Sequence, residues 1–596
     1  MHDYAPSFPG HARSPLLRLS LQGRRYLLIV PSCLLAAAIV ALCVAVLRST
    51  QHSSLDWFLL IPFGIATAWE CILLWQLVLG FAVWASGARS MSVLEHRAAE
   101  IEPVSTGRSR TALLIPIFDE DTDAVFAGVR IMLRSLARTG GRADVDVHIL
   151  SDTRTAATIA DEEAAWSVIR SEWPDGIFYS RRADNFGRKA GNIQSFLDRC
   201  GDAYDFAIVL DADSLMSGSA MRRLIRLMEE HPRIGLIQTV SFAAARETLF
   251  ARIQQFAIRL YAPLALRGLQ YWQGHEGSYW GHNAIFRIGP FRQHCRLPIL
   301  PGKPPLGGEI LCHDVVEGAL MVRAGWEVHL LPRFDGTWEE MPTNTIDLLQ
   351  RERRWCQGNL QHLRVLAFPG LRAASRAHIT LGIGGYVMAP LWWAFLVLGV
   401  VRVLGGGSDR YGLLAFGLTE TGAAASALVA VNVALIVVPR LLHLFHALGD
   451  TRVRRSFGGA RRLLAGAAVE QAFWVFLGPV LSLITSSFVF SILTGRATGW
   501  TGQTRADREI SMGEAFRCHA PHMAIGLALA LAAARTGGWY ALWMAPVALG
   551  LIISPALTII SSRIDLGQLS RRSGLFLTTD DLDGHLELRE LNQSRS

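Results

Sequence analysis

Two aspartates one residue apart, Asp211-Ala212-Asp213, close the apolar run Ile208-Val209-Leu210. That run is short, continuous in apolarity and β-branched, the pattern of a buried strand. Ligands of open α/β sheets bind at the carboxyl ends of strands, so both carboxylates are expected at such an edge. There they repel one another unless a cation joins them. A hard divalent ion, Mg2+ or Mn2+, suits the pair, because Mg2+ takes one or two carboxylates and completes its shell with substrate phosphates and water. Asp-x-Asp also occurs in solvated turns, so the reading depends on what else converges on it.

Upstream, two further strand-like runs end in acidic residues. Thr111-Ala112-Leu113-Leu114-Ile115 leads into Pro116-Ile117-Phe118-Asp119-Glu120, and residues 145–150 lead into Ser151-Asp152. A helical segment near 125–137 separates them, and a shorter strand is expected at 178–180. Alternating strands and helices imply a parallel sheet with right-handed crossovers, so Glu120, Asp152, Asp211 and Asp213 should line one cleft. Between them lies Asn185-Phe186-Gly187-Arg188-Lys189-Ala190-Gly191-Asn192. Its glycines permit close backbone approach and Lys189 offers a point charge for phosphate, although a plain surface turn would read the same.

Downstream, Cys312-His313-Asp314 sets an aspartate at what reads as a helix start. Asp314 is either an N-cap or a general base for an acceptor hydroxyl. In Gln350-Arg351-Glu352-Arg353-Arg354-Trp355, guanidinium groups suited to diphosphate accompany an indole face suited to a sugar ring. A basic helix at the membrane surface is the structural alternative.

The rest of the chain is that of a membrane protein. Of its 596 residues 51% are hydrophobic and only 18% charged, against about 25% in soluble domains. The net charge of +8 comes from arginines beside apolar spans, which the positive-inside rule explains without nucleic acid. The eight cysteines show no metal or disulfide spacing. Apolar stretches at 27–47, after Arg24 and Arg25, and at 57–84 are long enough to span a bilayer. After the polar region come 379–404, a stretch within 412–441, 464–493, 522–534 and 540–560. Arginines flank 464–493 on both sides (Arg452, Arg454, Arg455, Arg461 and Arg462 before, Arg496, Arg505, Arg508 and Arg517 after), which favours a tight hairpin at Gly478-Pro479 over one tilted helix. Eight spans result, or seven without the hairpin. An even count places both termini and the polar domain in the cytoplasm. The expected divisions are an N-terminal segment 1–26, two membrane helices in 27–86, a cytoplasmic domain 87–376, and about six membrane helices in 377–562 with a basic interfacial segment 445–463 and a loop 494–518. A cytoplasmic tail, 563–596, carries Arg563, Arg571 and Arg572. The fold class is therefore an α-helical multi-span membrane protein with an inserted cytoplasmic α/β domain.

Taken in order, Asp152, the Lys189 loop, Asp211-Ala212-Asp213, Asp314 and Arg354-Trp355 resemble the processive family-2 glycosyltransferases, relatives of cellulose and hyaluronan synthases. Gly281-His282-Asn283-Ala284-Ile285-Phe286-Arg287, His313-Asp314-Val315-Val316-Glu317-Gly318, Trp338-Glu339-Glu340-Met341-Pro342 and Arg353-Arg354-Trp355-Cys356-Gln357-Gly358-Asn359-Leu360 resemble more closely the glucans biosynthesis glucosyltransferase H family. That resemblance implies an A-type nucleotide-sugar fold and a bacterial inner-membrane enzyme. Such an enzyme polymerises glucose from UDP-glucose into the β-1,2 backbone of osmoregulated periplasmic glucans and translocates the product. It implies Asp314 as the base and Pro116, Glu120, Asp152, Lys189, Asp211 and Arg354 on the nucleotide sugar. It further implies Asp213 with Asp211 on Mg2+ or Mn2+, and Trp355, His282 and Asn283 on the acceptor. Thr494, Arg496 and Trp500 would belong to a gating loop. Implied partners are UDP-glucose, the growing glucan, the bilayer, a periplasmic glucan-processing protein and an acyl carrier protein, with no nucleic acid. Two departures stand out: Cys312-His313-Asp314 replaces Thr-Glu-Asp, and Arg351 stands where Gln is usual. Alternatives are a synthase of another, cellulose-like β-glucan and an enzyme making one transfer to a lipid phosphate.

Overall fold

The computed structural model describes residues 14–49, 54–88, 90, 92–105, 107–140, 144–404, 422–496, 506–536, 538–582 and 584–594. Among these, the polar region forms strands β1 Thr111–Ile117, β2 Val145–Ser151, β3 Ile177–Arg181, β4 Phe206–Val209, β5 Leu215–Met216, β6 Ile234–Thr239, β7 Phe242–Ala243, β8 Ala284–Arg287, β9 Glu327–Leu331 and β10 Thr337–Glu339. Seven pair in the order β3-β2-β1-β4-β8-β6-β9, and a small second sheet runs β5-β10-β7. β1 lies parallel to both β2 and β4. All three are buried almost throughout, as central parallel strands covered on both faces must be. Their carboxyl ends therefore bring Glu120, Asp152 and Asp211 to one edge, as the sequence predicts. β8 runs antiparallel to β4, with Ala284 opposite Val209. This reversal delivers Gly281-His282-Asn283 to the same edge, just beyond the end of β4. β10 pairs antiparallel with β5, immediately after Asp213-Ser214.

The helices that hold the site or meet the membrane are α1 Leu21–Ser49, α2 Ser54–Ala85, α3 Arg188–Cys200, α4 Leu249–Gln273, α5 His313–Arg323, α6 Thr345–Val365, α7 Ala373–Leu404, α8 Gly422–Gly449, α9 Ala460–Leu493, α10 Met512–Thr536, α11 Gly538–Ile552 and α12 Ser554–Ser562. Among the described residues, α1, α2, α7, α8 and α9 are long and apolar enough to cross a membrane, and α11 with α12, bent by 57°, would make a sixth. α10 forms around the run at 522–534 but is not among them.

The hairpin expected at 464–493 does not form: α9 continues for 34 residues through Gly478-Pro479. An interior proline is tolerated in an apolar helix whose neighbours are packed against it. Near one end of α9, Leu463 and Ala467 share an apolar cluster with Ile253 and Phe256 of α4. Near the other, Val489 and Ile492 join Cys356 and Leu360 of α6. At about 1.5 Å per residue, α9 runs roughly 50 Å, with apolar contacts to α4 near its start and to α6 near its end.

The polar domain meets the membrane helices backbone to backbone. A Cβ on Gly80 of α2 would lie 2.8 Å from the Gly268 nitrogen and the Leu264 carbonyl of α4, and one on Gly268 would run into the Gln76 carbonyl. Small residues permit such close crossings. Beside it the Trp272 indole donates to Gln76 Oε1 at 2.8 Å, and Arg25 pairs with Glu276 at 2.7 Å. Gly268→Val is expected to destabilise the protein by about 1–3 kcal/mol through overpacking, seen as a lowered melting temperature in detergent. Gly289→Ala, which faces open space, should leave the melt unchanged; equal melts for both variants would contradict this crossing.

Candidate active site

One ammonium group organises the sheet edge. Lys189 lies in the first turn of α3, whose N-cap Gly187 and first residue Arg188 both take left-handed conformations (φ 68° and 50°). Its Nζ pairs with Asp211 and donates to the Gly281 carbonyl at 2.7 Å. Gly281 is itself left-handed (φ 84°), and a Cβ there would sit 3.2 Å from Asp314 Cβ and 3.3 Å from its Oδ2. Gly281 thus has the Lys189–Asp211 pair on its carbonyl and Asp314 against its Cα. Asp314 is not the N-cap, a position held by Cys312; it lies in the first turn of α5, where the helix dipole favours a carboxylate.

The segment before Asp314 is fastened to α6. Gln357 Nε2 donates to the Pro305 carbonyl at 3.1 Å, Gln361 Nε2 to that of Glu309 at 3.0 Å, and the Leu311 nitrogen to Gln361 Oε1 at 3.0 Å. His362 Nε2 bonds the Cys312 carbonyl at 2.8 Å. A Cβ on Gly358 would run into the Cys312 side chain. The second half of the Arg353–Leu360 motif therefore docks this segment, and Cys312 Sγ lies 3.8 Å from the Trp355 carbonyl. Trp355 is 45% exposed. Arg351 lies over its ring, 4.4 Å from the centroid. Arg354 is near enough to Cys312 for its charge to oppose, without overcoming, the burial that pushes that thiol up.

Asp152 is buried and held in two bonds by Arg182, at 2.8 and 2.6 Å. Burial pushes its carboxyl up, and Arg182 opposes the push. The same guanidinium donates to the carbonyls of Phe186 and Arg188 at 3.0 Å, so Asp152 braces the Lys189 loop through a residue that sequence reasoning missed. Its only signal was an arginine pair, Arg181-Arg182, at a strand end. Pro116 lies in β1 opposite Leu150, and Glu120 follows, half-buried, at the same edge.

On the other side, His282 Nε2 lies 3.5 Å from Glu339 Oε2. Burial alone would lower the His282 pKa, but the charges of Glu339, Asp211 and Asp213 hold it above the ordinary value. Asn283 is fully buried, with a left-handed backbone (φ 48°), its Nδ2 on the Trp338 carbonyl at 3.3 Å and its own carbonyl on Thr239. Glu339 lies in the Trp338–Pro342 motif, although sequence reasoning assigned it no role. Burial pushes its carboxyl up, His282 and Arg351 oppose this, and Asp213 adds to it. It therefore stands among groups on both sides of the site. Thr494 and Arg496 are exposed beyond α9, and Trp500 lies outside the described residues. The far end of that loop is tied to the first turn of α6 by Arg508 with Asp347 at 3.1 Å.

Among the described residues no three His, Cys, Asp or Glu side chains converge to hold a metal. Asp211 and Asp213, one of them shared with Lys189, instead fit an ion that arrives with a diphosphate, since phosphate oxygens then complete the shell.

Gly281→Ala is expected to destabilise the protein by about 1–2 kcal/mol from its left-handed backbone alone, and further through Asp314. If the two residues touch, the double variant Gly281→Ala/Asp314→Ala recovers part of that loss in a melting experiment; strictly additive losses would contradict the contact.

Residues 113–295 match Glycosyl transferase family 2, and residues 206–405 match Glycosyl transferase family group 2. Over 578 residues, 96% of this chain and 79% of the relative, the protein is 36% identical to the glucans biosynthesis glucosyltransferase H of Rhodopseudomonas palustris. Over 569 residues, 94% and 87% of the two chains, it is 37% identical to the protein of that name from Xanthomonas euvesicatoria pv. vesicatoria. With membrane-length helices on both sides of its α/β domain, the protein is a multi-pass inner-membrane protein whose catalytic domain is cytoplasmic. It is a sugar-transferring enzyme and belongs to the glucans biosynthesis glucosyltransferase H family.

Proposed function

We propose that the enzyme transfers glucose from UDP-glucose, with inversion, onto a growing glucan, building the β-1,2-linked backbone of osmoregulated periplasmic glucans and passing it across the membrane. The observation that carries this reading is the seat of Gly281 between the Lys189–Asp211 pair and Asp314. Groups suited to a leaving diphosphate and a carboxylate suited to an attacking hydroxyl lie on two sides of one glycine.

In this reading Asp314 takes the proton of the acceptor hydroxyl, whose oxygen attacks the anomeric carbon as the bond to the UDP diphosphate breaks. Attack from the face opposite the leaving group turns an α-linked donor into a β-linked product. Lys189 and Arg354 meet the negative charge that develops on the diphosphate, a preorganised electrostatic contribution. Asp213, with Asp211, would hold Mg2+ or Mn2+, which when bound supplies further positive charge to the leaving group. Asp152 with Arg182, and Pro116 and Glu120, border the nucleotide. The Trp355 ring stacks the acceptor sugar, with His282 toward the sugar; Asn283 was expected there too, but its burial and its bond to the Trp338 carbonyl suit a supporting role instead. Thr494, Arg496 and Trp500 belong to a lid over the nucleotide. The linkage, a periplasmic glucan-processing partner and an acyl carrier protein rest on family membership alone.

Purified enzyme given UDP-glucose and Mg2+ should yield a polymer with β-1,2 linkages by methylation analysis. A β-1,4 polymer, or one glucose on a lipid phosphate, would overturn the assignment. Asp314→Asn should lower turnover by about 10²–10⁴-fold, the range for loss of a general base, while UDP still binds; unchanged glucan production would contradict the mechanism.

A further inference from the structure

After the last membrane-length helices the chain turns back onto the catalytic domain. α13 Ile564–Arg572, α14 Thr579–Leu582 and α15 Leu586–Ser594 bind it at two places. Leu588 and Leu591 join the main apolar core with residues of the helix Thr122–Ala137, and Glu587 accepts from Ser135 Oγ at 2.5 Å. The other place is polar. Arg252 of α4 donates to both oxygens of Asp581 at 3.1 and 2.6 Å, and Arg259, one helix face along, donates to Asp580 Oδ2 at 2.6 Å. These groups are almost entirely removed from water: Arg252 is 3% exposed and Asp580 9%.

The remaining oxygen of Asp580, Oδ1, accepts from the Trp338 indole at 3.1 Å, and His585 packs its ring edge-on against the same indole. Trp338 is fully buried and belongs to β10, so whatever fixes its ring fixes that strand. Three parts of the site hang from it. Trp338 is in register with Leu215 of β5, just past Asp211–Ser214. Its carbonyl holds Asn283. The next residue, Glu339, faces His282. Burying carboxylates and guanidinium groups gains little stability over apolar packing. A tail that needed only attachment could rely on Leu588 and Leu591.

We infer that Asp580 is a positioning residue: by gripping the Trp338 indole it sets β10, and through β10 it sets the Asp211–Asp213 turn and the His282–Glu339 pair, so the segment after the membrane helices governs turnover. The inference rests on the sugar-transfer reading for its kinetics and on geometry alone for its structural consequence.

The test uses the full-length enzyme carrying Asp580→Ala, Asp580→Asn or Trp338→Phe, assayed with UDP-glucose and followed by hydrogen exchange. Asp580→Ala and Trp338→Phe should each lower kcat about tenfold, as expected for loss of one buried hydrogen bond to a charged group, with the KM for UDP-glucose little changed. The double variant should be no worse than Asp580→Ala alone, because the indole bond is already lost there along with the Arg259 pair. Asp580→Asn, which keeps an oxygen for the indole, should retain most of the turnover. Exchange at residues 211–216 and 337–339 should quicken in Asp580→Ala. Wild-type kcat in Asp580→Ala, or a loss in Asp580→Asn equal to that in Asp580→Ala, overturns the inference. If Asp580→Ala does not fold, Trp338→Phe decides, and an unchanged kcat there overturns it equally. A wild-type enzyme inactive on UDP-glucose would count against the proposed function instead, and unchanged exchange at both segments would then overturn the positioning role by itself.

Discussion

The site depends on where the charge of one lysine falls. Two carboxylates a residue apart at a strand end repel, by several kcal/mol at 4 Å for an effective dielectric constant near 20. The Lys189 ammonium relieves part of that by pairing with Asp211, and the same group reaches the Gly281 carbonyl. That second bond closes the gap between β4 and the turn into β8, two strands of opposite direction. The far side of the site is placed relative to Gly281: Asp314 lies against it, and α6, which docks the residues before Asp314, carries Trp355. The left-handed residues at 187, 188 and 281 are the backbone conditions of this arrangement, since they turn α3 toward Asp211 and leave room for Asp314.

The catalytic domain is carried on helices rather than tethered to them. α4 crosses α2 through facing glycines, lies against α9, and presents Arg252 and Arg259 to the C-terminal segment. A single helix therefore touches an early membrane helix, a late one and the tail. Beyond α9, Arg508 ties the following segment to Asp347 at the start of α6. The two helices that flank the site each have a physical link to the apolar part of the molecule.

Much of the donor side was legible in the sequence. β1, β2 and β4 are central and doubly covered, so they appear as apolar runs, and their ends appear as the acidic residues that stop those runs. The acceptor side was less legible. β8 is four residues long and antiparallel, and no local pattern announces that it brings Gly281 beside Asp211. Arg182 and Glu339 draw their importance from partners 30 or more residues away, and charge alone does not name a partner. Gln357 and Gly358 stood in the sequence only as members of the Arg353–Leu360 motif, and Gln361 lay outside it; together they pin the Asp314 segment to α6. At α9, arginines on both flanks were read as a reversal of direction. The helix instead runs unbroken for 34 residues and packs apolar side chains on α4 and α6, and only tertiary contacts reveal this.

The most direct test of this arrangement is a cryo-electron microscopy structure of the enzyme in lipid with UDP and Mg2+ bound. The account predicts the diphosphate at the ends of β1 and β4, the ion on Asp213, Lys189 turned from Asp211 toward a phosphate oxygen, and Gly281 still against Asp314. A nucleotide seated away from Asp211 and Asp213, or Asp314 separated from Gly281 in the bound state, would contradict it.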